Sequence, residues 1–175
     1  MAKLSDALHG FEIQGDHHVI EAPEDWSQGR TLYGGMTTAL CYEAAKLQCG
    51  PQAQLRSAQM TFVGPASGIL TFRADVLRAG KSSTAIAVDC RTGEALAARA
   101  SFVFGADRSS LIDGRASRRT DLPDPPEACP PFIGATGGFH DNFELKLADG
   151  SPLCSGGPLG FRAWTRFREG PGTDP

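Results

Sequence analysis

The chain has 175 residues, 41 % hydrophobic and 21 % charged, which suits a globular protein of one domain or one and a part. A formal net charge of −3 leaves no basic field to attract nucleic acid. No run approaches the roughly 18 apolar residues of a membrane helix, and Met1-Ala2-Lys3-Leu4-Ser5-Asp6 lacks the apolar core of a signal peptide.

Cys41, Cys49, Cys90, Cys129 and Cys154 are odd in number, have no CxxC spacing and sit among apolar neighbours. They suit reduced core thiols in the cytoplasm better than a disulfide frame or a zinc site.

Phe11-Glu12-Ile13-Gln14 alternates like a short strand. Residues 21 to 33 form a loop with Pro23, Trp26 and Gly29. From Met36 to Cys49, apolar Ala39, Leu40, Ala44 and Leu47 predict a helix with one buried stripe, stopped by Gly50-Pro51. The helix follows Arg30-Thr31-Leu32-Tyr33-Gly34-Gly35. Glycines let another molecule approach the backbone closely. A first helical turn offers unpaired N–H groups and a positive dipole end. Together they could hold a polarised carbonyl oxygen; alternatively the glycines serve only a tight turn.

Four strands are predicted next, in Leu55–Val63 and around Leu70–Val76, Ile86–Cys90 and Leu96–Phe104. Ala58, Met60 and Phe62 share one face of the first, opposite Ser57, Gln59 and Thr61. Turns at Gly64-Pro65-Ala66-Ser67-Gly68, Ala79-Gly80-Lys81 and Thr92-Gly93 link them into an antiparallel meander with one apolar face. One long helix covers that face. The expected class is α+β, a central helix wrapped by a curved antiparallel sheet.

Residues 107 to 138 hold Arg108, Arg115, Arg118, Arg119 and five prolines from Pro123 to Pro131, as in a linker. The chain then begins again. Phe143-Glu144-Leu145-Lys146-Leu147 echoes the first strand, Ser155-Gly156-Gly157-Pro158 is a loop, and Phe161, Ala163, Thr165 and Phe167 alternate with Arg162, Trp164 and Arg166. Thr173-Asp174-Pro175 reads as a helix start, with Asp174 as cap and Pro175 at the first helical position. The expected organisation is a domain over 1–107, a linker over 108–140, and a second domain over 141–175 that stops before its central helix.

This order resembles the hotdog-fold thioesterases, more closely the double-hotdog acyl-CoA thioesterase II-like family. The resemblance rests on Gly29 to Gly35, Phe62-Val63-Gly64-Pro65, Val76 to Ser82, Ala100-Ser101-Phe102 and Phe161 to Phe167. It implies a hotdog followed by an incomplete second hotdog. It also implies hydrolysis of acyl-CoA thioesters to free acid and coenzyme A, with no metal or redox cofactor. The partners implied are the acyl-CoA substrate and other copies of the chain, joined through sheet edges.

Two departures matter. Single-hotdog thioesterases carry an acid seven residues after the glycine pair. Tyr42 stands there, and Glu43 lies one step on, rotated by about 100°. In double-hotdog relatives the water-activating carboxylate sits in the second hotdog, from its central helix onward. Turnover by this chain is therefore expected to be negligible.

The candidate catalytic residues are Gly35, for the oxyanion, and Glu43, as base or as an ordinary ion-pair partner. The candidate substrate contacts are Tyr33, Gly34, Gly35 and Thr37 around the thioester, and Arg78, Lys81 and Ser82 around the phosphates. Thr37 and Thr38 could equally satisfy local backbone groups. Asp16-His17-His18 suggests a metal, but adjacent strand residues point to opposite faces, so the histidines are expected to be a surface pair. His140-Asp141 is expected to be structural. The competing functions are a non-catalytic acyl-CoA-binding half and a hotdog enoyl-CoA hydratase. The latter uses a histidine with an acid, of which Gly15-Asp16-His17-His18 is a superficial echo.

Overall fold

The computed structural model describes residues 4–50, 53–109, 127–131, 137–151 and 160–168. Pro51, Cys154, Arg115, Arg118, Arg119, the loop at Ser155 to Pro158 and the helix start at Thr173 to Pro175 lie outside them. Two compact units divide the chain, Met1–Ser109 and Ser110–Pro175.

The first unit opens with α1 (Leu4–His9), β1 (Glu12–Gln14) and β2 (His17–Glu21). A 3-10 turn (Glu24–Trp26) leads to the small hairpin of β3 (Ser27–Gln28) and β4 (Thr31–Leu32). The central helix is α2 (Gly34–Cys49), and four long strands follow: β5 (Gln54–Phe62), β6 (Ile69–Ala79), β7 (Ser83–Thr92) and β8 (Ala95–Gly105). Six strands form one antiparallel sheet in the order β1-β2-β6-β7-β8-β5.

Strand alternation builds the core. Leu70, Phe72 and Ala74 of β6, Ile86, Val88 and Cys90 of β7, and Ala98, Ala100, Phe102 and Phe104 of β8 are buried. Against them α2 sets Met36, Leu40, Cys41, Ala44 and Ala45. The ring of Tyr42 lies edge-on to Phe102 at 5.8 Å and stacks near Phe104 at 6.0 Å. The position where a carboxylate was sought is thus an aromatic packing position.

The sequence-based expectations need correction in several places. Helix α2 begins at Gly34, two residues before Met36. Leu47 is exposed, as are Lys46 and Gln48 beside it in the last turn. The four long strands are not a simple meander, because β5 pairs with β8 rather than with β6. Residues 63–68 are therefore a crossover and not a hairpin turn. Met60 and Phe62 do lie opposite Ala100 and Ala98, on the helix side. Yet β5 is exposed along its length except at Met60, because α2 packs on β6, β7 and β8.

A bulge in β8 explains why Ala97 is buried alongside Ala98. Cys90 pairs with Ala98 but Arg91 pairs with Leu96, so Ala97 is passed over in the ladder. Its carbonyl accepts instead from the amides of Val63 at 2.9 Å and Gly64 at 3.0 Å. This anchors the crossover.

The histidines are not a surface pair. His17 meets Asp16 at 2.6 Å, whereas His18 is 6 % exposed and edge-on to Phe11.

In the second unit a 3-10 turn (Gly138–Asn142) leads into β9 (Phe143–Ser151), which pairs antiparallel with β10 (Gly160–Phe167). Cross-strand ion pairs join Arg162 to Asp149 and Arg166 to Glu144, each at 2.6 Å, and the rings of Phe143 and Phe167 meet at 4.9 Å. Pro130 and Pro131, assigned to the linker, run beside β9. Pro131 bridges to Lys146 and Leu147 donates to the Pro130 carbonyl.

Candidate functional site

Tyr33 holds an extended conformation and ends the hairpin by donating its amide to the Trp26 carbonyl at 2.8 Å. Its own carbonyl opens α2, accepting from the Thr37 amide at 3.0 Å and the Thr37 hydroxyl at 3.3 Å. The Thr38 hydroxyl donates to the Gly34 carbonyl at 2.8 Å. Both threonines thus satisfy local backbone groups, although Thr37 also lines the cleft described next. No side chain caps this helix end.

Each glycine is matched to an aromatic ring. A Cβ on Gly34 would meet Phe62 Cζ at 3.1 Å. A Cβ on Gly35 would collide with the Tyr33 ring, standing 2.9 Å from Cζ and 3.1 Å from the phenol oxygen. The close approach that the glycines permit is made here by the protein's own side chains.

In front of Gly34 lies a cleft of about 780 Å³. Its floor is Leu32, Thr37, Ala66 and Ala97, all buried. One rim is apolar, with exposed Phe62, Val63 and Pro65. Polar Gln28 and Arg30 of the hairpin and Ser67 of the crossover also line the cleft. The hairpin wall and the crossover wall are stapled together. The Leu32 amide donates to the Ala66 carbonyl at 2.7 Å, and the Ala66 amide donates to the Thr31 hydroxyl at 2.9 Å. Thr92 adds a hydroxyl bond to the Pro65 carbonyl at 3.2 Å. Arg30 is the only ionisable side chain among the lining residues.

The remaining candidates lie elsewhere. Glu43 is eight residues beyond Gly35, about 12 Å along the helix axis, and pairs with Lys46 at 2.8 Å. Lys46 Nζ stands 5.3 Å from the centre of the Tyr42 ring. Arg78, Lys81 and Ser82 flank the β6–β7 turn. That turn is level with Gly105 and Gln54, whereas Phe62 is level with Ala98. Eight residues of strand, about 26 Å, separate the two ends. The structure does not bring these three residues to the helix start within one unit. No group of three or more His, Cys, Asp or Glu capable of holding a metal occurs among the described residues.

Residues 22–105 match the family described as acyl-CoA thioesterase N-terminal domain. This segment belongs to that thioesterase family. The solved structures it resembles carry the hotdog fold. A hotdog protein of unknown function from Alicyclobacillus acidocaldarius superposes with TM-score 0.81 at 21 % identity, over 94 % of this chain and 62 % of that one. The tesB protein of Mycobacterium avium subsp. paratuberculosis gives 0.73 at 17 %, over 99 % and 64 %. An acyl-CoA thioesterase II of Mycobacterium marinum gives 0.71 at 16 %, over 99 % and 63 %. The chain therefore spans less than two thirds of the length of each. A comparison with curated proteins finds no match. The chain has the hotdog fold, and no described helix is long and apolar enough to cross a membrane.

Within the thioesterase domain, sequence reasoning did not assign Phe62, Arg30 and Thr31 to the site. The available signal was positional: Arg30 and Thr31 stand in the run that ends at Gly34-Gly35, and Phe62 opens Phe62-Val63-Gly64-Pro65.

Proposed function

We propose that the first unit receives acyl-CoA thioesters in the cleft before α2, as the binding half of an acyl-CoA hydrolase. The observation that carries this is the uncapped start of a 16-residue helix opening into a cleft, within a thioesterase-family segment. The thioester oxygen is placed toward the amides of Gly34 and Gly35, where helix-end N–H groups favour developing negative charge. The apolar rim of Phe62 and Val63 takes aliphatic substrate. Tyr33 must swing off Gly35 for the carbonyl to reach that amide.

Hydrolysis adds water to the thioester carbon, breaks the C–S bond and returns a proton to the leaving thiol. A base must take the water proton. The cleft lining holds no carboxylate, imidazole or thiol, and Glu43 is paired and about 12 Å along the helix. The base is therefore assigned to a second hotdog, in a longer polypeptide or in another copy joined at the sheet edge. The absence of an acid or base from the cleft lining favours a second reading, a half that binds acyl-CoA without turning it over. No observation favours the hydratase, because neither His17 nor His18 lines the cleft.

Calorimetry with acyl-CoA and a free-thiol assay test this together. Binding without thiol release supports the binding half. Thiol release that disappears in Glu43→Gln brings Glu43 into the reaction. Absence of both binding and release overturns the proposal.

A further inference from the structure

We infer that Arg30, which lines the cleft together with Gln28 and Ser67, is the anchor for the phosphates of coenzyme A. This rests on the cleft being the thioester site. Among the described residues Arg30 makes no ion pair, as is also true of Arg78, Lys81 and Arg108 of the same unit, but of these four cations only Arg30 lines the cleft. Gln28 and Ser67 likewise spend no side-chain hydrogen bond, while Thr31 between the walls spends its hydroxyl on Ala66. Three uncommitted polar side chains, Gln28 and Arg30 from the hairpin and Ser67 from the crossover, thus line a cleft that apolar Phe62, Val63 and Pro65 also line.

A lining with a single cation beside apolar side chains suits a ligand with one greasy and one anionic end. The aliphatic part lies on Phe62 and Val63. The anion lies on Arg30, whose planar fork suits phosphate oxygens. Arg30 is exposed, so its anion stays at the solvent edge. This fits the phosphates of coenzyme A rather than the tip of an acyl chain entering the cleft. Arg78, the nearer of the other cations considered for this role, is level with Ser57, five residues or about 17 Å along the strands from the level of Phe62, and Lys81 lies beyond it at the turn.

The test compares hexanoyl-CoA with hexanoyl-pantetheine, which lacks the phosphates, by calorimetry on wild-type, Arg30→Glu and Lys81→Glu chains. Arg30→Glu is expected to weaken hexanoyl-CoA about tenfold, equivalent to about 1.4 kcal/mol. The loss should shrink as salt rises. Hexanoyl-pantetheine should bind all three chains equally, and Lys81→Glu should bind hexanoyl-CoA like wild type. The inference is overturned if Arg30→Glu leaves hexanoyl-CoA unchanged, weakens both ligands alike, or is outdone by Lys81→Glu. An Arg30 effect seen only with adipyl-CoA, whose acyl tip is anionic, would also overturn it. Wild-type binding of hexanoyl-CoA that ignores Phe62→Asp would instead sink the cleft itself as the thioester site.

Discussion

Phe62 and Gly34 are fitted to each other across two elements, for the ring carbon Cζ stands 3.1 Å from where a Cβ on Gly34 would be. The contact joins the end of β5 to the first turn of α2. Phe62 is nevertheless 58 % exposed, so its ring is free to tilt. Gly34→Ala should therefore change stability by less than about 0.5 kcal/mol, because the gain in helix propensity offsets the shift of the ring. Urea denaturation checks this.

Gly35→Ala should behave differently. Its new methyl meets the Tyr33 ring, which leads directly into the helix. A loss of about 1 kcal/mol is expected. Removing the ring should remove the conflict, so Tyr33→Ala and Gly35→Ala should be non-additive by about 0.5 kcal/mol or more in a double-mutant cycle. Strict additivity would show that the ring does not occupy the glycine face.

Thr31 ties the walls of the cleft. Thr31→Val keeps the shape but leaves the Ala66 amide without its 2.9 Å acceptor. The expected cost is about 1–3 kcal/mol, and Thr31→Ser should recover most of it. Thermal melts of the two variants side by side distinguish the hydroxyl from the methyl.

Phe62→Ala should separate stability from binding. Little apolar area is lost from an exposed ring, so the melting curve should barely move. Affinity for a medium-chain acyl-CoA should fall several-fold if the apolar rim carries the substrate. Unchanged affinity would count against the placement.

His18 gives the fold a pH dependence. Burial lowers its pKa below the ordinary histidine value of 6.5, and its Nδ1 has no partner. The unfolded chain therefore binds the proton more readily than the folded one. Stability from this residue is complete above about pH 6.5 and falls as pH drops through the interval below, down to the lowered folded value. Denaturation midpoints at pH 7.5 and 5.5 should differ, and His18→Phe should narrow the gap. A gap of equal size in the variant would assign the effect to other groups.

Periodicity made the helix and the strands of the first unit legible, because each presents a run long enough to repeat. Strand order was not legible. Gly64-Pro65-Ala66-Ser67-Gly68 has the composition of a hairpin turn, and no local pattern states that β5 pairs with β8 across the sheet. The β8 bulge was equally hidden, since Leu96 continues the alternation that Ala97 interrupts. Gly34 and Gly35 were singled out as candidates from backbone chemistry alone, and of the two only Gly34 lines the cleft. Their occupation by Phe62 and Tyr33 depends on tertiary contacts, and so does the distance of Arg78 and Lys81. Tyr33 itself is adjacent in sequence, but its rotamer over Gly35 is not a sequence property.

The crossover carries a consequence for the order of assembly. Strands β6, β7 and β8 are joined by short turns and can zip up in succession. The partner of β5 lies beyond both of the intervening strands, so Phe62 can meet Ala98 only after a long loop has closed. The carbonyl of Ala97 cannot receive Val63 and Gly64 until then. The cleft thus waits on that closure, and a chain arrested at the three-strand stage would keep much of its sheet while holding no cleft before α2.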